Sequence, residues 1–350
     1  MQNELTMNRW SKEAGPRIEG SQPLDISKVQ APCIVHNPSG GYRLFYTAIG
    51  PAKPYPACQG YILSAVSDDG LVFRKEPGIR LAPQPSLPHV SLRVLAPSIT
   101  PTGGDQWRMY FEARGPADSP TVICSAVSSD MLNWEMEDGI RLHGPGDTRG
   151  PRYLPLPGGG GRLYCCSSEP SRSGERASTN VISAVTSDGL RFEIEPDFRM
   201  RDNQADYDTS GITAAEVIPP AVEGSPYTMV YSTWQDVPPG SVVPPHPSQD
   251  VDSTESGHSV DFAAASIASD MAGYRSRIFV ARSPDGLEWG QGECVIDGAG
   301  HGADGIDAVH AEDMSVIKVS EGVYRMYYAA CDKNGNWRVA SAISAQPDGI

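Results

Sequence analysis

His310, Glu312 and Asp313 lie within one stretch of four residues in a chain of 350. On an extended strand, side chains two apart share a face, so His310 and Glu312 can meet and pass a proton near neutral pH, while Asp313 faces the other way. A second polar group runs from Asp208 through Thr209, Ser210 and Gly211 to Glu216. Arg93 and Arg149 precede two short Pro-containing runs, Ala96-Pro97 and Gly150-Pro151, and suit an anionic or carboxylate group, which a planar guanidinium grips with two parallel hydrogen bonds. Gln30 stands before a third such run, Ala31-Pro32, and Trp234 is placed to stack on a sugar or another planar ligand.

The elements that must position these residues repeat along the chain. A Ser or Thr, one residue and an Asp recur at Asp69, Asp130, Asp188 and Asp285, each followed four residues later by Phe73, Trp134, Phe192 or Trp289. Phrases such as FRKEPGIRL from Phe73 and WEMEDGIRL from Trp134 follow. The phrase WSKEAGPRI from Trp10 has no such turn before it, and the turn at Asp348-Gly349 has no aromatic strand after it. Joined, the two ends complete a fifth copy. Upstream of each turn sits an alternating block, Arg43-Leu44-Phe45-Tyr46, Arg108 to Phe111, Arg162 to Cys165, Thr228 to Tyr231 and Arg325 to Tyr328, as in a half-buried strand. Small-Pro runs precede these blocks, and apolar stretches such as Ile62 to Val66 follow them. The pattern predicts an all-β fold of five units with four antiparallel strands each, a five-bladed β-propeller in one domain over residues 1–350, with the N-terminal strand closing the last blade.

Composition agrees with a loop-rich all-β chain: Gly 36 and Pro 31 supply the many turns such a ring needs. A net charge of -15 argues against nucleic acid, which rewards clustered Lys and Arg, and against an anionic membrane surface. No apolar run approaches the roughly 20 residues needed to cross a bilayer. The N-terminus has no apolar signal core, so a cytoplasmic location is expected. Seven scattered cysteines show no CxxC spacing and read as small buried thiols.

The Ser/Thr-x-Asp-Gly-x-x-aromatic turn, with Met131 replacing Gly in its second copy, resembles that of the five-bladed propeller glycosidases: arabinanases, β-xylosidases, invertases and levansucrases. The resemblance runs from Trp10 to Gly349. It implies that the turn aspartates are structural and that reacting groups look inward from the innermost strand of each blade, at or before the small-Pro run. It thereby makes Glu312, Asp313, His310, Glu216 and Asp208 catalytic candidates, and Arg93, Arg149, Gln30 and Trp234 substrate-binding ones. The superfamily's first-blade Asp sits directly before the Pro, where this chain has Ala31. Three readings follow: hydrolysis of a small glycoside by carboxylate acid/base chemistry, a derived cyclase or lyase step using a His-carboxylate pair, or a ligand-binding ring without catalysis.

Residues 237–276, rich in Pro, Ser, Asp and Gly, read as an insertion in the fourth blade and a cover over the funnel mouth. Its His246, His258, Asp250, Asp252 and Asp261 have no metal-site spacing, and no metal ligand is assigned. The Gly-rich stretch Gly298 to Gly305 around His301 resembles one found in relatives that bind calcium, the one cofactor the resemblance suggests. The expected partner is a small molecule such as a glycoside.

Overall fold

The computed structural model describes residues 10–26, 28–50, 59–116, 119–168, 179–201, 209–222, 224–236, 274–298 and 304–345. They form strands and one short 3-10 turn, Pro88–Val90. Two short strands come first, β1 (Trp10–Lys12) and β2 (Ile18–Glu19). Then come β3 (Lys28–His36), β4 (Tyr42–Gly50), β5 (Gln59–Ser67) and β6 (Arg74–Lys75), each antiparallel to the one before it. The pattern repeats in β7 (Arg93–Gly103), β8 (Gln106–Arg114), β9 (Val122–Ser128) and β10 (Glu135–Met136). It repeats again in β11 (Thr148–Pro155), β12 (Gly161–Ser168), β13 (Thr179–Thr186) and β14 (Glu193–Ile194). A further copy is β15 (Thr209–Ile218), β16 (Tyr227–Asp236), β17 (Tyr274–Ser283) and β18 (Glu293–Ile296). The last group is β19 (His310–Ser320), β20 (Val323–Cys331) and β21 (Trp337–Ala345).

Strand β1 pairs with β21, Trp10 opposite Ser344, and β2 continues along the same strand with Ile18 opposite Val339. One side-chain cluster shows why the split phrase belongs there. Glu76, Glu137 and Glu195, each three residues after its phrase's aromatic, accept hydrogen bonds from Arg43, Arg108 and Arg162 and from Ser64, Ser125 and Ser183. Glu13 does the same with Arg325 at 2.9 Å and Ser341 at 2.7 Å. The fourth group has Thr228 where the others have Arg, and Arg282 donates to its hydroxyl at 2.6 Å.

The Asp turns carry structure. Asp69 Oδ1 accepts the N–H groups of Leu71 and Val72, and these bonds hold its carboxyl down at about 2. Each turn also docks on the preceding group: Arg43 donates to the Asp130 carbonyl, Tyr110 to that of Gly189, Tyr164 to that of Gly286 and Tyr327 to that of Gly70. The phrase aromatics pack edge-on across the same seams, Phe73 on Tyr327, Trp134 on Phe45 and Phe192 on Tyr110.

The first strands pack against one another in a cycle: β3 on β7, β7 on β11, β11 on β15, β15 on β19 and β19 on β3. Outer strands β6, β10 and β14 have only two residues each, so little unpaired edge is exposed. Strand β17 begins at Tyr274, inside the range read as an insertion; residues 237–273 lie outside the described residues. Among the described residues no helix is long and apolar enough to cross a membrane.

Candidate functional site

Each small-Pro run is a β-bulge. The register between first and second strand slips at Ala31-Pro32, Ala96-Pro97, Gly150-Pro151 and Asp313-Met314. The leading residue of each is left-handed, with φ of 45°, 49°, 56° and 51° respectively. That conformation costs Ala about 1 kcal/mol, suits Gly, and is comparatively comfortable for Asp. In β15 the register slips earlier and twice, between Thr209 and Gly211 and again at Thr213. The five inner strands therefore present matched layers: Ala31, Ala96, Gly150, Ala214 and Asp313 in one, and Cys33, Ser98, Arg152, Glu216 and Ser315 two residues further on.

Four members of the first layer offer at most a methyl group, so Asp313 is its one functional side chain. Glu312, just before the bulge, is buried at 7% exposure, while Asp313, where the bulge begins, stays partly accessible. Burial pushes the Asp313 carboxyl up; Lys28 and Arg152 pull it down, Glu112 pushes it up again, Arg114 opposes, and the net is about 6. Glu112 lies on β8, where it pairs with Arg114 and accepts the Gly150 N–H at 3.2 Å. That second bond has counterparts: Thr47 accepts the Ala96 N–H at 2.8 Å and Ser232 the Asp313 N–H at 3.3 Å. Glu112 thus does a strut's job with one oxygen and brings a charge to Asp313 as well.

The second layer converges on Arg152. Its Nη1 donates to the carbonyls of Pro97 (2.9 Å) and Pro151 (3.3 Å), and its Nη2 to those of Pro32 and Met314 (3.1 Å each). Its Nε faces Glu216 Oε2 at 3.3 Å. One guanidinium therefore ties together the inner strands of all five groups. Glu216 Oε1 also accepts the Val316 N–H at 3.1 Å, the counterpart of Ser98 accepting from Tyr153 and Ser315 from Ile34. Burial raises the Glu216 carboxyl against the pull of Arg152. Both side chains line a small cavity with Cys33, Ser98, Tyr164 and Ser315.

His310, the first residue of β19, is buried; its Nδ1 lies 3.2 Å from Ser276 Oγ and its ring stacks on Trp337 at 5.2 Å. Lys28 Nζ sits 3.9 Å from the same indole. Arg93 is fully buried at the start of β7, directly opposite Arg114. Arg149 is partly accessible and donates to Ser168 Oγ (3.0 Å) and Thr179 Oγ1 (3.4 Å). Gln30 lies on β3 opposite Thr47, half-buried. Trp234 lies on β16 opposite Gly211, and both its indole and Thr179 come within 3.6 Å of the point where a Cβ of Gly211 would stand. Asp208, His301 and the neighbouring glycines to Ala303 lie outside the described residues. Asp304, at the edge of that stretch, pairs with Lys333 at 2.8 Å. Among the described residues no cluster of His, Cys, Asp and Glu could hold a metal ion.

Three contributors to this site escape a reading of the sequence: Glu112, Arg114 and Arg152. A signal existed for two of them. Glu112 holds the column that Thr47, Cys166, Ser232 and Ala329 occupy elsewhere, and Arg152 and its partner Glu216 stand in the column of Cys33, Ser98 and Ser315. A charge in a column of small residues marks a position with an added task.

No protein-family model matches the chain, and no curated protein matches it. Solved structures do. An endo-arabinase from Bacteroides thetaiotaomicron matches at 13% identity over 95% of this chain and 99% of that one, with a TM-score of 0.61. A structure from work on family 130 mannoside phosphorylases and the hydrolases among them that target β-1,2-mannosidic linkages in Candida mannan matches at 12% identity, 99% and 98% coverage and TM-score 0.62. A thermostable family 43 glycoside hydrolase matches at 14% identity, 97% and 94% coverage and TM-score 0.61. The chain has the all-β fold of the propeller glycosidases.

Proposed function

We propose that the chain is a five-bladed propeller, four antiparallel strands to a blade with the Trp10 segment completing the last, and that it acts on a small glycoside by carboxylate acid/base chemistry. The cyclic packing of the five inner strands and the pairing of β1 with β21 support the ring. The observation that carries the chemistry is Asp313: the one ionisable side chain of its layer, in a partly accessible residue, with its carboxyl raised to about 6 by burial and by the charge of Glu112.

Such a group still carries its proton in part of the molecules at neutral pH and loses it readily. In this reading Asp313 donates its proton to the glycosidic oxygen as the bond to the anomeric carbon breaks. Glu312 takes a proton from the water whose oxygen bonds to that carbon. Glu112, fixed by Arg114, keeps Asp313 protonated up to a higher pH and stabilises the positive charge developing on the sugar. His310 holds its strand end against Trp337, and Glu216 serves the Arg152 hub.

Ala31, where the resemblance leads one to expect an acid, favours a second reading, a lyase or cyclisation step on a small molecule with Asp313 as proton carrier. A panel of aryl glycosides of arabinose, xylose, fructose, galactose and glucose separates the two. Turnover that drops at least a hundredfold in Asp313→Asn and declines as pH rises through about 6 supports hydrolysis. Undiminished turnover in that variant overturns the assignment, and silence of the folded protein across the panel moves the reading to the second chemistry.

A further inference from the structure

We infer that the substrate carries an anionic substituent, seated on Arg149 with its sugar ring against Trp234; this rests on the glycoside reading and deepens it. The chain as a whole is strongly acidic, with a net charge of -15, yet arginines crowd one end of the inner strands. Arg93 and Arg114 stand directly opposite each other across β7 and β8, and like charges so placed destabilise a sheet. Arg149 is near enough that its charge, after burial and Glu112, helps set the state of Arg114. Glu112 is committed to Arg114.

Arg149 has a different environment. Among the described residues its partners are two hydroxyls, Ser168 and Thr179, and no carboxylate, although it is partly accessible. Those hydroxyls steer the guanidinium without neutralising it. Thr179 Oγ1, which accepts from Arg149, and the Trp234 ring both come within 3.6 Å of the point where a Cβ of Gly211 would stand, which places the indole and the guanidinium on either side of Thr179 and Gly211. A charged fork beside an aromatic face suits a sugar bearing a carboxylate, a sulfate or a phosphate.

Titration calorimetry with D-glucuronate, D-galacturonate, glucose 6-sulfate, glucose 6-phosphate, D-glucose and D-galactose tests the inference on the full chain. At least one anionic sugar should bind about tenfold or more tighter than its neutral counterpart, and Arg149→Gln should erase the difference. Uronate preference identifies a carboxylate, and preference for the 6-esters a tetrahedral anion. Arg149→Lys should keep part of the preference, and raising the salt from 0.05 to 0.5 M should reduce it in the parent protein; these two measurements decide the matter if Arg149→Gln does not fold. Equal binding of neutral and anionic sugars, or a preference unmoved by both salt and Arg149→Lys, overturns the inference. Paired 4-nitrophenyl glucoside and glucuronide substrates separate it from the reading beneath it. Anionic binding without turnover sinks hydrolysis alone, and turnover of the glucoside with no preference for the glucuronide sinks the anionic substituent alone.

Discussion

Replacing Arg152 by Met keeps an unbranched apolar stem and removes the guanidinium on which the inner strands converge. Four carbonyls, of Pro32, Pro97, Pro151 and Met314, lose a charged donor, and Glu216 loses its counter-ion while still partly enclosed. Hydrogen bonds to a charged group contribute about 1.5–3 kcal/mol each, and breaking a buried ion pair from one side costs about 3–5 kcal/mol. These do not add, because carbonyls tolerate the loss of one partner and the adjoining cavity can admit water. A loss of about 4–6 kcal/mol is expected, against a total stability of about 5–15 kcal/mol. Urea unfolding at pH 7 reads it as a fall in midpoint on the order of 1–2 M. The informative partner is Glu216→Leu in the same background: removing the stranded carboxylate should restore about 2–3 kcal/mol, so the double variant is more stable than the sum of the singles predicts. A single-variant loss below about 1.5 kcal/mol, or a cycle that is simply additive, refutes the hub.

Asp313 makes a pH-dependent prediction. Its folded value, about 6, lies above the ordinary aspartate value of 3.8, so the folded state favours the protonated form; that contribution is full below about 3.8 and is lost as pH rises through about 6. Asp313→Asn should therefore gain about 1–2 kcal/mol relative to the parent at pH 7 and nothing at pH 3.5, and a gain independent of pH contradicts the assigned cause. Glu13→Ala removes the acceptor of Arg325 and Ser341 and should cost about 1.5–3 kcal/mol in urea unfolding, as Glu76→Ala should for Arg43 and Ser64. A near-zero effect at Glu13 alone would mean that the N-terminal strand is not an equal member of its sheet. Gly70→Ala places a Cβ 2.7 Å from both Arg325 Nη1 and the Tyr327 hydroxyl at a φ of 74°, and should cost about 2 kcal/mol or more in the same assay, whereas Gly103→Ala, with open space around it, should cost only the left-handed penalty of about 1 kcal/mol.

Much of the architecture was legible because its determinants are local. A Ser-x-Asp turn closes on its own backbone, an alternating Arg-Leu-Phe-Tyr block marks a strand, although both faces of the Arg43–Tyr46 block prove buried, and Glu13 matches Glu76 within a phrase of nine residues. The same locality explains why Trp10 could be assigned to the end of the chain before any strand pairing was known. Alternation predicts opposite faces for Glu312 and Asp313 and the shared face of His310 with Glu312. The register is regular from His310 to Glu312, so those two do share a face; what alternation does not supply is the left-handed bulge that begins at Asp313, or the packing of His310 on Ser276 and Trp337.

By itself, then, the sequence determined the repeat, the all-β class, the turn chemistry and the place of the split copy, since each depends on residues a few positions apart. Which charges act together was decided by the tertiary structure alone. Glu112 approaches Asp313, and Arg152 gathers carbonyls from four bulges and the Glu216 carboxylate from the remaining strand, because the inner strands pack against one another and bring matched layers together. Electrostatic shifts depend on distance and burial through space, neither of which spacing along the chain encodes.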